Sequence, residues 1–535
     1  MKNKLLLTTV LTFWLFKLQS QIIAVSLDYK IENSSFIIEG EIVNAIAKQD
    51  KLKITIFTDY TVKIINVQKG IISNEYIIIR NLGGTIGENT LHVCPNSHFD
   101  IGDSGTYFIS KISEGIYEPS FLGQSEYVNF KLEKKTQNKY ELKQNQVTNK
   151  NTLATITNIS PLNVNAGVGD VITITGTGFG TGPPSGQKVL VPKANAPGQY
   201  ITQSNLYNYV SWTDSEIKYK VSSDAASGPI LVGYVATNVQ STQSVQINYN
   251  VRDQFNGLLT NIYPIVIPSL SGGGFVFKKN VNFTNVDAIN STLIAMDTWT
   301  CQTGIKLSID PVNTTTSINV TNDNQSVLFF ANLGATVLGL TYSNITACST
   351  TGRSYVSDVD LGINSSINFN YTLNTSTPTQ YDYYTTVLHE LGHVRNLGHV
   401  GNTTDVMYAS IAAGEQRRNL NANNTAGGLW VQNESQTIAI CSKPLMTAGT
   451  CLNLSNEDFT NLTNETEIYP NPVLDTLYIN TTEDNFGVRI FDINGRYIET
   501  NLINKTIDFS NLSKGVYFIK IKTNSGIINK KILKL

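Results

Sequence analysis

Apolar and polar residues alternate with period two along much of this chain, and two stretches switch to helical spacing. Runs at 35–43, 53–67 and 76–80 are β-branched and bounded by Gly, Asn and Asp, which predicts strands. Gly83-Gly84, Gly102 and Gly105 punctuate them, so 22–130 is expected to be a β-rich domain. Residues 131–152 are Lys- and Gln-rich with little apolar periodicity and predict a linker. From 153 to 250 alternation returns: Val171, Thr173 and Thr175 interleave with Ile172 and Ile174, closed by Gly176, Gly178 and Gly180 around Phe179. Helical spacing appears at Ile289, Leu293, Met296 and Trp299, then at Val387, Leu388, Leu391 and Val394. Both lie in 251–455. After a connector at 456–466, residues 467–535 alternate strand-like runs with turns at Asn471-Pro472, Asn494-Gly495, Lys514-Gly515 and Ser525-Gly526, predicting a small β-sandwich.

The 535 residues suit three or four domains at about 150 residues each. Net charge is −2 and charged residues are 15% of the chain, so composition gives no reason to expect a nucleic-acid partner. No internal apolar run reaches the roughly 18 residues of a membrane span. Lys2 and Lys4 precede the apolar stretch Leu5 to Phe16, the pattern of a secretory signal peptide over 1–21, cut near Ser20 or Gln21. An exported chain can keep disulfides.

Three of the five histidines fall in one eleven-residue window, HELGHVRNLGH. His389 and His393 are four apart, so on a helix their rings share one face and can reach one ion at about 2.0–2.1 Å. Glu390 sits beside that face, placed to take a proton from water and pass it to a leaving amine. His399 would lie about 9 Å beyond His393 on a straight helix, so the chain must turn back near 396–398. Asn396 is the residue expected in the left-handed conformation, with Gly398 as the alternative. Three neutral imidazoles leave a fourth tetrahedral position open, as catalytic zinc sites do.

HELGHVRNLGH followed by Asp405-Val406-Met407-Tyr408 resembles the metzincin zinc peptidases, most closely the matrixin branch. The resemblance implies His389, His393 and His399 as zinc ligands, Glu390 as general base, and Met407 in a turn beneath the site. Val286 to Thr300 followed by Thr303-Gly304-Ile305 resembles the start of matrixin catalytic domains. The sequence departs from the family at Asn396, where Gly is usual, and it has no histidines for a second zinc. Structural calcium is left open with no ligands assigned. Residues 153–250, with Ile159-Ser160-Pro161 and the Gly-x-Gly-Phe-Gly turn, resemble an immunoglobulin-like IPT/TIG domain. Tyr469-Pro470-Asn471-Pro472, Gly515-Val516-Tyr517 and Lys530-Lys531-Ile532 resemble the C-terminal sorting domain of the type IX secretion system of Bacteroidetes.

The expected architecture is therefore multidomain: a β-rich N-terminal domain, an immunoglobulin-like β-sandwich, an α+β metzincin catalytic domain and a small C-terminal β-sandwich. The expected function is a secreted zinc endopeptidase acting on proteins or peptides, carried out by the type IX machinery, with no transmembrane span after signal cleavage. The rival class is a surface adhesin with an inactive peptidase-like domain. Cys301, Cys348, Cys441 and Cys451 are disulfide candidates, with Cys301–Cys348 and Cys441–Cys451 favoured. Cys94 is left over. A propeptide Cys can close the fourth zinc position in matrixins, but Cys94 lacks the surrounding motif and is expected to be a free or buried thiol. Its neighbours His92 and His98 do not complete a four-ligand metal pattern.

Overall fold

A computed structural model describes residues 23, 25–50, 55–94, 99, 101–121, 124–128, 130–136, 139–144, 154–183, 187–196, 198–201, 206–234, 237–254, 263–318, 320, 322–449, 466–481, 486–492, 497–498, 502–522 and 527–535. The expected signal peptide and nearly all of the connector at 456–466 lie outside these residues. The chain divides into two compact units, Met1–Cys451 and Leu452–Leu535.

The N-terminal residues form a six-stranded sheet in which Phe36–Gln49 pairs with both Ile56–Lys69 and Ser104–Ser113. Part of the expected linker belongs to an ordered hairpin instead: Phe130–Thr136 pairs antiparallel with Lys139–Gln144. Leu132 supplies the apolar position that alternation needs, and it is buried. One strand of this region, β1 (Asn89–Cys94), leaves its neighbours and joins a different sheet.

Residues 155–250 form two facing sheets, of four and five strands. Ile172, Ile174, Ile217 and Tyr219 of one pack against Val189, Val191, Ile230 and Val232 of the other. The inward and outward positions follow the period of two read from the sequence. The last strand, Thr237–Asn250, leads directly into the next region.

That region is built on β2 (Phe275–Asn280), α1 (Val286–Thr303), β3 (Leu307–Thr315), β4 (Val327–Ala331), β5 (Gly339–Cys348), β6 (Arg353–Asn364), α2 (Tyr383–Val394) and α3 (Ala422–Thr437). The sheet order is β3-β2-β4-β6-β5-β1, continued by Gly84–Ile86. β2, β3, β4 and β6 are parallel, whereas β5 runs antiparallel to both β6 and β1. α1 starts at Asn285, whose side chain accepts from Ala288 N–H, and ends at Gly304 with φ 76°. The fully buried Trp299 of α1 donates Nε1–H to Leu388 O at 2.8 Å, fastening α1 to α2.

Cys348 is bonded to Cys441. The favoured pairs Cys301–Cys348 and Cys441–Cys451 are therefore not formed. Sequence separation misled here: 93 residues separate the bonded pair, and the strand β5 and the loop after α3 bring them together. Cys301 is also disulfide-bonded, and Cys451 lies outside the described residues.

Candidate metal centre

Asp382 caps α2: its carboxylate accepts from Thr385 N–H at 3.0 Å and from Thr385 Oγ1 at 2.6 Å, and it pairs with Arg418. Every residue of α2 is buried, so the helix that carries the histidines is an interior element. Its apolar residues Val387, Leu388, Leu391 and Val394 join the main core cluster. The helix ends at Val394, and Asn396 takes φ 63°. Asn396 N–H donates to His393 O at 2.9 Å and Leu397 N–H to Gly392 O at 3.0 Å, closing the helix and returning the chain. Gly398 is not at positive φ, so Asn396 makes the turn, as its short amide allows.

The turn brings three imidazoles together. His393 Nε2 lies 2.9 Å from His389 Nε2 and 3.1 Å from His399 Nε2. His389 Nδ1 is 2.7 Å from Val406 O, and His393 Nδ1 is 2.8 Å from Leu397 O. A carbonyl only accepts, so both Nδ1 atoms carry the protons and both Nε2 atoms present lone pairs. Two lone pairs cannot hydrogen-bond each other. The cluster could hold a cation, and a tetrahedral ion at about 2.0–2.1 Å from each nitrogen would keep them at about this separation. Burial lowers the pKa of all three rings, with neighbouring imidazoles adding to the effect at His389 and His393; His399 falls to about 4. The rings are therefore neutral near pH 7, the form that ligates metal.

Glu390 is fully buried beside the rings. Oε2 accepts from Thr341 Oγ1 of β5 at 2.7 Å, while Oε1 has no partner. Burial pushes its pKa up to about 8, against the lowering effect of the Thr341 hydrogen bond. The close approach depends on Gly339, where a Cβ would stand 2.8 Å from Glu390 Cγ.

Met407 lies under the helix. A Cβ on Gly392 would fall 2.2 Å from its Sδ, so the two residues occupy adjoining space with no slack. Asp405 fixes the turn by accepting from Met407 N–H at 2.7 Å, and Asn421 and Asn424 at the start of α3 hold Asp405 in turn.

Cys94 lies against two of the three rings. Its Sγ is 3.3 Å from His393 Nε2 and 3.8 Å from His399 Nε2. Among the described residues, Cys94, His393 and His399 are the set whose ligand atoms converge closely enough to hold an ion. Cys94 reaches the centre because β1 pairs with the free edge of β5, with Cys94 opposite Thr341 and His92 opposite Ser343. Alternation sends Leu91 and Val93 to the other face, into a cluster with Val327, Phe329, Leu340 and Tyr342. His98 lies outside the described residues.

The C-terminal unit has its own organisation: two four-stranded sheets around Leu477, Ile479, Ile490, Ile519 and Ile532. Asn471 ties its first strands to its last, donating to Lys531 O at 2.7 Å and accepting from Leu533 N–H at 2.9 Å. Residues 467–534 match the secretion system C-terminal sorting domain. The sorting domain marks the chain for export by type IX secretion to the cell surface or extracellular space, which implies contact with that machinery. A search of curated proteins finds no match to the chain. No helix among the described residues is long and apolar enough to cross a membrane.

Sequence reasoning named the imidazoles, Glu390 and Met407. It missed Thr341 and Gly339 beside Glu390, and it assigned Cys94 no place there. None of these carries a motif; Cys94 is brought in by strand pairing and the other two by the packing of β5 against α2.

Proposed function

We propose that residues 251–455 are a zinc-dependent endopeptidase of the metzincin kind, exported by the C-terminal sorting domain. The convergence of three imidazoles, two of them with Nε2 fixed as a lone pair, beside the unpartnered Glu390 Oε1 carries this reading. His389, His393 and His399 would hold the zinc, and the histidine-rich donor set fits that metal. Bound zinc supplies Lewis-acid polarisation of a scissile carbonyl and acidifies water. Glu390 would accept the water proton at Oε1 and return it to the leaving amine. Thr341 holds the other carboxylate oxygen and aims the base. An adhesin with a dead domain has no use for an aimed, buried carboxylate, and Glu390 is intact.

In the arrangement described, Cys94 would take the fourth ligand position and β1 would cover the β5 edge, so the exported chain would be latent. Gelatin or casein hydrolysis by purified full-length chain, with and without chelator, tests both points. Cys94→Ala should hydrolyse substrate faster than wild type, and chelator should abolish it. Chelator-insensitive hydrolysis, or none from either protein with metal bound, would reject the peptidase.

A further inference from the structure

The β-sandwich at 155–250 does not end short of the metal centre; its exit residues are hydrogen-bonded into the turn that carries His399. Gly398 N–H donates to Asn250 O at 3.0 Å, and Asn250 Nδ2 donates to His399 O. Arg252 N–H donates to Asn396 O at 2.9 Å, and Asn396 Nδ2 returns a bond to Arg252 O at 3.0 Å.

The Arg252 side chain is buried and engages four different partners. Nε donates to Asn396 Oδ1 at 3.0 Å, and Nη2 to His393 O at 2.8 Å and to Ser343 Oγ at 3.1 Å. Nη1 lies 3.1 Å from His92 Nδ1. A guanidinium only donates, so His92 Nδ1 is the acceptor. One rigid fork thus touches the end of the histidine helix, the left-handed turn residue, the strand β5, and β1 two residues before Cys94. Lysine, with one compact ammonium, cannot span these four directions.

We infer that Arg252 is a positioning residue that holds the third-ligand turn and the thiol-bearing strand in one register. The β-sandwich is then a built-in wall of the metal centre and not a detachable spacer. This inference rests on the metal-centre reading above.

The test uses the full-length chain with Arg252→Met, Arg252→Lys and His92→Ala, loaded with cobalt(II) as a spectroscopic probe. Arg252→Met and Arg252→Lys should weaken metal retention against a chelator by roughly 10–100-fold, the range for outer-shell partners. They should also shift the cobalt d–d bands and speed labelling of Cys94, which is in no disulfide. His92→Ala breaks only the strand side of the clamp, so it should speed labelling with a smaller loss of metal retention than the Arg252 variants show. Cooperative unfolding confirms that each variant is folded; should Arg252→Met fail to fold, Arg252→Lys and His92→Ala decide. Wild-type retention, bands and labelling in a folded Arg252 variant, with only a lower unfolding midpoint, would overturn the inference. If the wild type takes up no metal, the metal-centre reading fails. In that case, labelling of metal-free Arg252→Lys and His92→Ala still tests the clamp, and unchanged rates reject it.

Discussion

Glu390 and His399 show how one burial acts in opposite directions on an acid and a base. Burial favours the neutral form of both: it raises the carboxyl to about 8 and lowers the imidazole to about 4. Glu390→Gln should keep metal near the wild-type ratio, because Glu390 is not a ligand. Hydrolysis should fall by at least about 10²-fold, which metal analysis beside a peptide assay would check. For His399 the sign follows from linkage. Between pH 6.5 and about 4 the unfolded imidazole binds a proton that the folded one does not. Its contribution is present in full above pH 6.5 and is lost as pH falls through that window. Urea unfolding of metal-free protein should therefore show wild type losing stability relative to His399→Ala as the pH drops from 6.5 towards 4. A pH-independent difference would contradict the assignment.

At the scale of elements, the helix α2, its turn and the strand β5 act as one frame. Gly392 is where α2 meets the Met407 turn, with Met407 Sδ where a Cβ would be and Trp299 Cζ2 only 3.3 Å away. Gly392→Ala gains up to about 1 kcal/mol of helix propensity but overpacks a closed interior, at a cost of about 1–3 kcal/mol. A net lower unfolding midpoint is expected, and Met407→Ala in the same chain should recover part of it. Asn396→Gly keeps the left-handed conformation but leaves the buried Arg252 Nε without its acceptor, costing about 1–3 kcal/mol. A chelator competition should find weaker metal retention in that variant. The spacing of His389, Glu390 and His393, and the need for a turn before His399, were legible in the sequence because helix geometry fixes them. Thr341 and Gly339 were not, because strand β5 meets Glu390 only through tertiary packing.

For the molecule as a whole, the sorting domain and the metal centre are separate assets. Deleting 467–535 removes the domain matched over 467–534 and none of the residues of the metal centre. Purified truncated chain should retain full metal content and the same hydrolysis, while in its host the truncated chain should no longer reach the medium or surface. Normal release would remove the sorting role.

The sequence by itself determined the local chemistry: the order of the β-rich regions, the face shared by His389 and His393, the left-handed Asn396, and the sorting domain read from its turns and termini. The sorting domain came from a family resemblance; the others follow from periodicity and from backbone preferences that act over a few residues. Only the tertiary structure decided which distant groups surround that chemistry. Cys94 stands 299 residues before His393, and no spacing rule connects them; an edge strand that needs a partner does. Arg252 and the Cys348–Cys441 bond arise in the same way, from segments that packing brings together after the local elements are set.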